Sequence, residues 1–232
     1  MKFNKKIYNI NFSKKIYPEI TKIFRSSNII RGKFSTKFEH ELKKKIGNSK
    51  LITTSDFSSS IELVFKSIGL KPGDEVLTSP LTCLSTNMPI LNCFGKPVWF
   101  DIDPKNGNPN LNDLKKKVSK RTKAIIIYHW CGNPINLSEI YKFAKKNSLK
   151  VIEDASESFG SSYNKKKIGN TGSDYTIFSF HPSKNFNSIN GAAITTKTNN
   201  DYKKILKMRR YGINNKTFRL KNNEINPKSD IK

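Results

Sequence analysis

The sequence predicts an α/β fold in which a mostly parallel sheet is sandwiched by helices. Three observations carry that prediction. Short apolar runs alternate with stretches of helical periodicity over most of the 232 residues, the arrangement that βαβ units produce. Glycine, proline and asparagine punctuate the joins between them. No stretch approaches the roughly 18 uninterrupted apolar residues of a membrane span, so the runs must find burial against one another. The length suffices for one sizeable core. Hydrophobic residues at 35% and aromatics at 11% argue against wholesale disorder.

Taken in order, residues 1–33 read as an irregular, basic lead-in. Phe38, Leu42 and Ile46 recur every four residues and stop at Gly47, which predicts a helix with a glycine terminator. Leu51–Thr53 reads as a strand, Ser60–Ile68 as a helix, Lys71-Pro72-Gly73-Asp74 as a turn and Glu75–Thr78 as a strand. A helix over Leu84–Phe94 precedes a strand over Pro97–Phe100; a helix over Asn112–Val118 precedes a strand over Ala124–Tyr128. Asn136 with Glu139 three residues on reads as a capping box opening a helix to about Asn147. Strands follow at Lys150–Glu153, Tyr175–Phe180 and Ala192–Thr196, then a helix at Asp201–Tyr211. The tail 214–232 is polar and carries few large apolar residues.

The formal net charge is +25, built from 37 lysines and only 6 arginines. Sequence-reading nucleic-acid binders rely on the planar, bidentate guanidinium. Lysines scattered over nearly every segment read instead as exposed filler, so no specific nucleic-acid partner is expected. Cys83, Cys93 and Cys131 form no CxxC and suit free thiols in a reducing compartment. His40, His129 and His181 lie far apart, and no zinc-ligand spacing or HExxH occurs, so no metal site is expected. The polar N-terminus lacks the apolar stretch of a signal peptide, which predicts a cytoplasmic protein with no membrane attachment.

Neither GxGxxG nor GxxxxGK[ST] is present. In open α/β sheets ligands bind beyond the carboxyl ends of the strands, so the polar residues that follow each strand are the candidates. These are Thr54-Ser55-Asp56-Phe57-Ser58-Ser59-Ser60, Pro80-Leu81-Thr82-Cys83, His129, Asp154, Ser179 and Lys184. The set suits a phosphorylated aromatic cofactor. A helix N-terminus offers N–H groups to a phosphate, a carboxylate can pair with a protonated pyridine nitrogen, and a lysine can condense with an aldehyde. Each residue alone also has a structural reading. Ser58–Ser60 can serve as a plain N-cap, Asp154 can cap a turn, and Lys184 is one lysine of 37.

Leu70-Lys71-Pro72-Gly73-Asp74-Glu75-Val76, Thr82-Cys83-Leu84-Ser85-Thr86-Asn87, Val151-Ile152-Glu153-Asp154-Ala155-Ser156-Glu157-Ser158, Phe178-Ser179-Phe180-His181-Pro182-Ser183-Lys184-Asn185, Gly191-Ala192-Ala193 and Arg209-Arg210-Tyr211-Gly212 occur in one order. In that order they resemble the DegT/DnrJ/StrS family of sugar aminotransferases over about residues 30–215. The resemblance implies a fold type I large domain with a seven-stranded type of sheet over 34–213, and pyridoxal 5′-phosphate as cofactor. It makes Lys184 the internal-aldimine lysine and gives Asp154 the pyridine nitrogen. It sets Glu157 where the family often has Gln or His, beside the ring and its phenolic oxygen, and gives Ser179 the phosphate. Phe57, Ser58 and Ser59 fall at the phosphate turn, with one residue inserted. Thr82 matches the family's threonine, and Cys83 stands where many members stack an aromatic on the ring.

The resemblance further implies amino transfer from an amino acid, glutamate, to a nucleotide-linked keto-sugar for cell-surface polysaccharide or amino-sugar synthesis. It implies a homodimer in which the neighbour lends an Asn to the phosphate site. The family's smaller C-terminal domain would fall after Lys232, so the chain is expected to be truncated and, alone, a poor enzyme. Two alternatives remain at this point. One is an inactive remnant or interaction module with the same fold. The other is a sugar dehydratase, whose family relatives replace the lysine by His.

Overall fold

The computed structural model describes residues 13–26 and 32–212. Its helices are α1 (Tyr17–Phe24), α2 (Lys33–Ile46), α3 (Phe57–Ile68), α4 (Leu84–Asn92), α5 (Leu111–Lys117), α6 (Leu137–Lys146) and α7 (Asn199–Met208). Its strands are β1 (Leu51–Thr54), β2 (Glu75–Thr78), β3 (Lys96–Trp99), β4 (Thr122–Tyr128), β5 (Lys150–Asp154), β6 (Ser162–Tyr163), β7 (Lys166–Lys167), β8 (Tyr175–Ser179) and β9 (Ala192–Thr196). Seven strands form one sheet in the order β1-β9-β8-β5-β4-β2-β3. Only β9 runs against its neighbours, so the other six present their carboxyl ends to one edge.

Alternation along each strand builds two cores, one per face. Leu51, Leu77, Ile125, Ile127, Val151 and Phe178 pack with α2, α5 and α6. Ile52, Val76, Ala124, Ile126, Ile152 and Ile177 pack with α3, α4 and α7. Burial on both faces is why these strands read as continuous apolar runs.

Most predicted elements stand within a few residues, and the differences have local causes. The lead-in is not wholly irregular: a 3₁₀ turn (Lys14–Ile16) runs into α1, where Pro18 occupies the first turn. That helix buries no residue, although Ile20, Ile23 and Phe24 recur at helical spacing. The rest of the lead-in, 1–12 and 27–31, and the polar tail lie outside the described residues. Gly47 ends α2 in the left-handed region at φ 76°, as glycine does without strain. Helix α3 starts three residues earlier than expected. Its N-cap is Asp56, whose carboxylate accepts the Ser59 N–H at 2.8 Å, rather than any of Ser58–Ser60.

The capping box at α6 is also not formed. Asn136 makes no side-chain cap bond; its Nδ2 donates to the Glu139 carboxylate at 2.9 Å. The Tyr163 hydroxyl instead takes the Ser138 N–H at 3.2 Å. Two of the family-like motifs are structural. Lys71-Pro72-Gly73-Asp74 is a turn in which the Asp74 carboxylate accepts the Lys71 N–H at 2.9 Å. Arg209 donates to Glu39 at 2.6 Å and to the Thr53 carbonyl at 2.7 Å, tying the end of α7 to α2 and β1. Among the described residues, no helix is long and apolar enough to cross a membrane.

Candidate active site

Three strands end on one polar residue each, and all three residues lie on the α3/α4/α7 face. They are Tyr128 of β4, Asp154 of β5 and Ser179 of β8. The ladder sets Tyr128 directly beside Asp154 and Asp154 beside Ile177, two residues short of Ser179. Asp154 is 2% exposed. Its Oδ1 accepts the Ser156 N–H at 3.0 Å, and its Oδ2 accepts the Thr86 hydroxyl at 2.7 Å. Burial pushes the Asp154 carboxyl above the ordinary aspartate range, although the Thr86 and Ser156 donors and the Lys184 charge act in the opposite direction.

Lys184 sits in the loop after β8, with its N–H bonded to the His181 carbonyl at 2.9 Å. Its Nζ lies 3.4 Å from Glu157 Oε1, and its side chain is 18% exposed. Glu157 Oε2 accepts the Cys131 N–H at 3.0 Å. Burial pushes the Glu157 carboxyl up, but the Tyr128 hydroxyl, Lys184 and the Cys131 N–H together hold it below the usual glutamate value. Burial and the facing Glu157 carboxylate raise the Tyr128 phenol in turn. The bend that offers the Cys131 N–H needs a left-handed pair, Cys131 at φ 53° and Gly132 at φ 77°. A Cβ on Gly132 would fall 2.8 Å from the Glu157 carbonyl oxygen, so glycine permits this approach.

Thr82 and Cys83 lead into α4. The Thr82 hydroxyl donates to Thr86 Oγ1 at 3.0 Å. Cys83 is the exposed N-cap residue of α4. The Ser85 hydroxyl and N–H, with Lys184, pull its thiol below the ordinary cysteine value. The α3 end is divided. Phe57 is buried in the core at 8% exposure, so its side chain packs while only its backbone faces the helix N-terminus. Ser58 donates its hydroxyl to the Ser85 carbonyl at 3.2 Å, joining α3 to α4. The Ser59 hydroxyl donates to the Asp56 carboxylate at 2.8 Å. Ser179 is 5% exposed and its Oγ accepts the His181 N–H at 3.3 Å.

The structure thus brings Asp154, Thr82, Cys83, Glu157 and Lys184 together at the carboxyl edge. Ser179 stands on the same face, and Ser58 reaches α4. His129 does not join them. Its ring is fully buried on the opposite face, with Nε2 3.1 Å from Glu153. Cys131, two residues on, is exposed, so the two do not act as a pair. Two residues escaped the sequence reading. Tyr128 shares the parity of Ile126 and closes its strand, a signal that alternation carried. Thr86 lies four residues after Thr82, in the first turn of α4. An amine, a buried carboxylate and a ring of hydroxyls at one sheet edge fit an aldehyde-bearing, basic heteroaromatic phosphate.

Residues 11–228 match the DegT/DnrJ/EryC1/StrS aminotransferase family. The spore coat polysaccharide biosynthesis protein SpsC of Bacillus subtilis is 33% identical over 77% of this chain and 46% of its own length. The UDP-4-amino-4-deoxy-L-arabinose–oxoglutarate aminotransferase of Shewanella sediminis is 32% identical over 77% of this chain and 45% of its own. The crystal structure of the sugar aminotransferase CalS13 from Micromonospora echinospora superposes with a TM-score of 0.84 at 25% identity, covering 91% of this chain and 59% of that one. The chain therefore spans about half the length of the curated relatives it matches. Over that span the fold agrees, and the chain belongs to the DegT/DnrJ/EryC1/StrS aminotransferase family.

Proposed function

We propose that this chain forms the cofactor-holding part of a pyridoxal-phosphate aminotransferase. The enzyme moves an amino group from glutamate to a nucleotide-linked keto-sugar for polysaccharide or amino-sugar synthesis. The observation that carries the reading is the pairing of one partly buried amine, Lys184, with one buried carboxylate, Asp154, at the same sheet edge. The relatives' names supply the substrate class: one is an oxoglutarate aminotransferase of a UDP-sugar and another a polysaccharide biosynthesis protein. The bound cofactor supplies an electron sink for charge that develops on the amino donor.

The chain's own residues do the rest. Lys184 would hold the cofactor through its aldehyde and would move a proton at the donor carbon. Asp154 holds the proton on the ring nitrogen. Ser179, Ser58 and Ser59, with the backbone of Phe57, bind the phosphate, and Thr82 and Cys83 border the ring. Glu157, gripped by Cys131 and Tyr128, orients the Lys184 amine. A lysine at 184, in place of the histidine of the dehydratase relatives, favours transfer over dehydration.

A homodimer completes the reading. Leu84, Met88 and Leu91 form an exposed apolar stripe along α4, with Phe94 beyond its end. Such a stripe calls for a covering surface, and a second copy supplies one.

The test follows the two half-reactions. With pyridoxal phosphate and glutamate, the whole enzyme to which this chain contributes should release 2-oxoglutarate and convert the cofactor to its amine form. A nucleotide-linked keto-sugar should then return the cofactor to the aldehyde form. Absence of both conversions in a protein that binds the cofactor would defeat the proposal.

A further inference from the structure

We infer that Thr86 is a positioning residue that keeps Asp154 ionised, by donating its hydroxyl hydrogen to Oδ2. The inference rests on the role given to Asp154 above and adds a residue to it. Thr86 is 1% exposed and its Oγ1 lies 2.7 Å from Oδ2. The direction of that bond is fixed by its neighbour. Thr82 donates to Thr86 Oγ1 at 3.0 Å, which leaves the Thr86 hydrogen for the carboxylate. Thr82 itself stands 3.5 Å from Oδ2, at the limit of a hydrogen bond, so its influence passes through Thr86. The geometry is set by the entry to α4, where Thr82 precedes the N-cap Cys83 and Thr86 lies in the first turn of the helix.

The need for such a donor comes from burial. A carboxylate in an apolar setting gives up its charge unless donors compensate, and Asp154 has already been pushed toward its neutral form. Its closest donors are the Ser156 N–H on Oδ1 and the Thr86 hydroxyl on Oδ2. The first is backbone. The second is a side chain and the largest of the influences that oppose burial, ahead of the Ser156 hydroxyl and the Lys184 charge. Without it Asp154 becomes the stronger base of the pair it makes with the ring nitrogen, the shared proton moves to the carboxylate, and the ring loses its positive charge.

The readout is the NMR resonance of the cofactor's ring nitrogen, isotope-labelled and bound to the chain, because that resonance reports ring protonation directly. In the wild type it should report a protonated ring, and in Asp154→Asn an unprotonated one. Thr86→Val, close in shape, should move it toward the Asp154→Asn position, and Thr86→Ser should restore the wild-type value. Turnover should fall about tenfold to a hundredfold in Thr86→Val, with KM for the donor nearly unchanged, in keeping with loss of one bond to a charged group. Thr86→Ala serves as the second probe if the valine variant folds poorly. A wild-type resonance in both variants overturns the inference. If Asp154→Asn also leaves the resonance unmoved, the role of Asp154 itself falls, which separates failure of the inference from failure of the reading beneath it.

Discussion

Glu153 and Asp154 are consecutive residues of one strand, both buried, and their surroundings are opposite. Glu153 points into the α2/α5/α6 face, where three side chains meet its two oxygens. They are Tyr141 at 2.7 Å, Thr171 at 2.9 Å and His129 at 3.1 Å. The Ile135 N–H donates to His129 Nδ1 at 3.4 Å, which leaves Nε2 to donate to Glu153. Burial pushes the Glu153 carboxyl up, but these donors bring it below the ordinary glutamate value. Asp154 points to the other face, where the Thr86 hydroxyl and the Ser156 N–H stand close and Thr82 lies at 3.5 Å, yet burial outweighs them and leaves it raised. A carboxylate that its donors hold ionised holds a fold together. One that burial leaves raised gains from a further cation, and that is the chemical difference between scaffold and site.

The largest effect that can break this comparison lies at the amine. Lys184→Ala should abolish covalent capture of the cofactor and all turnover. The side chain makes one long contact at 3.4 Å, so stability should move by less than about 1 kcal/mol. A visible cofactor band persisting in that variant would break the assignment. Next comes Asp154→Asn, which should still bind pyridoxal phosphate while turnover drops by orders of magnitude. In the cofactor-free chain the same change should raise stability at neutral pH. A carboxyl whose folded pKa is raised contributes stability that is lost as pH rises through that pKa, and the amide removes this loss.

Glu153→Gln should do the reverse, lowering stability by about 2 kcal/mol while leaving turnover per folded molecule near normal. Its folded pKa is depressed, so its contribution is present above the usual carboxylate range and lost as pH falls through the folded value. Denaturant titration should therefore show the cost of Glu153→Gln shrinking as pH falls below the ordinary glutamate range. Equal and parallel effects of the two variants on stability would erase the contrast. The smallest effect on the fold belongs to the α4 stripe. Leu91→Asp should change chain stability by no more than about 0.5 kcal/mol yet convert a dimer to a monomer in sedimentation, and an unchanged mass would remove α4 from the interface.

The strands were legible because both faces of the sheet are buried, which leaves apolar runs such as Ala124–Ile127 with little else they could form. The elements that stayed hidden bury little. Helix α1 buries no residue, and the β6–β7 hairpin turns through Asn164 and Lys165 at φ 46° and 64°, a conformation a lysine does not advertise. At the site, Asp154, Glu157 and Lys184 were legible from their places after strands and from wording shared with a family. Tyr128 is less legible than His129 because it lies inside the strand that His129 follows, whereas parity decides which face a side chain enters. Thr86 is hidden for another reason. It donates to a partner distant in sequence, and a hydroxyl does not name its partner in one dimension.

The central claim is that one lysine among 37 is the cofactor's anchor. Borohydride reduction of the chain with bound pyridoxal phosphate, followed by peptide mapping, tests it directly. The account predicts a single stoichiometric label on Lys184, lost in Lys184→Ala. A label spread over surface lysines, or fixed on another residue, would contradict it.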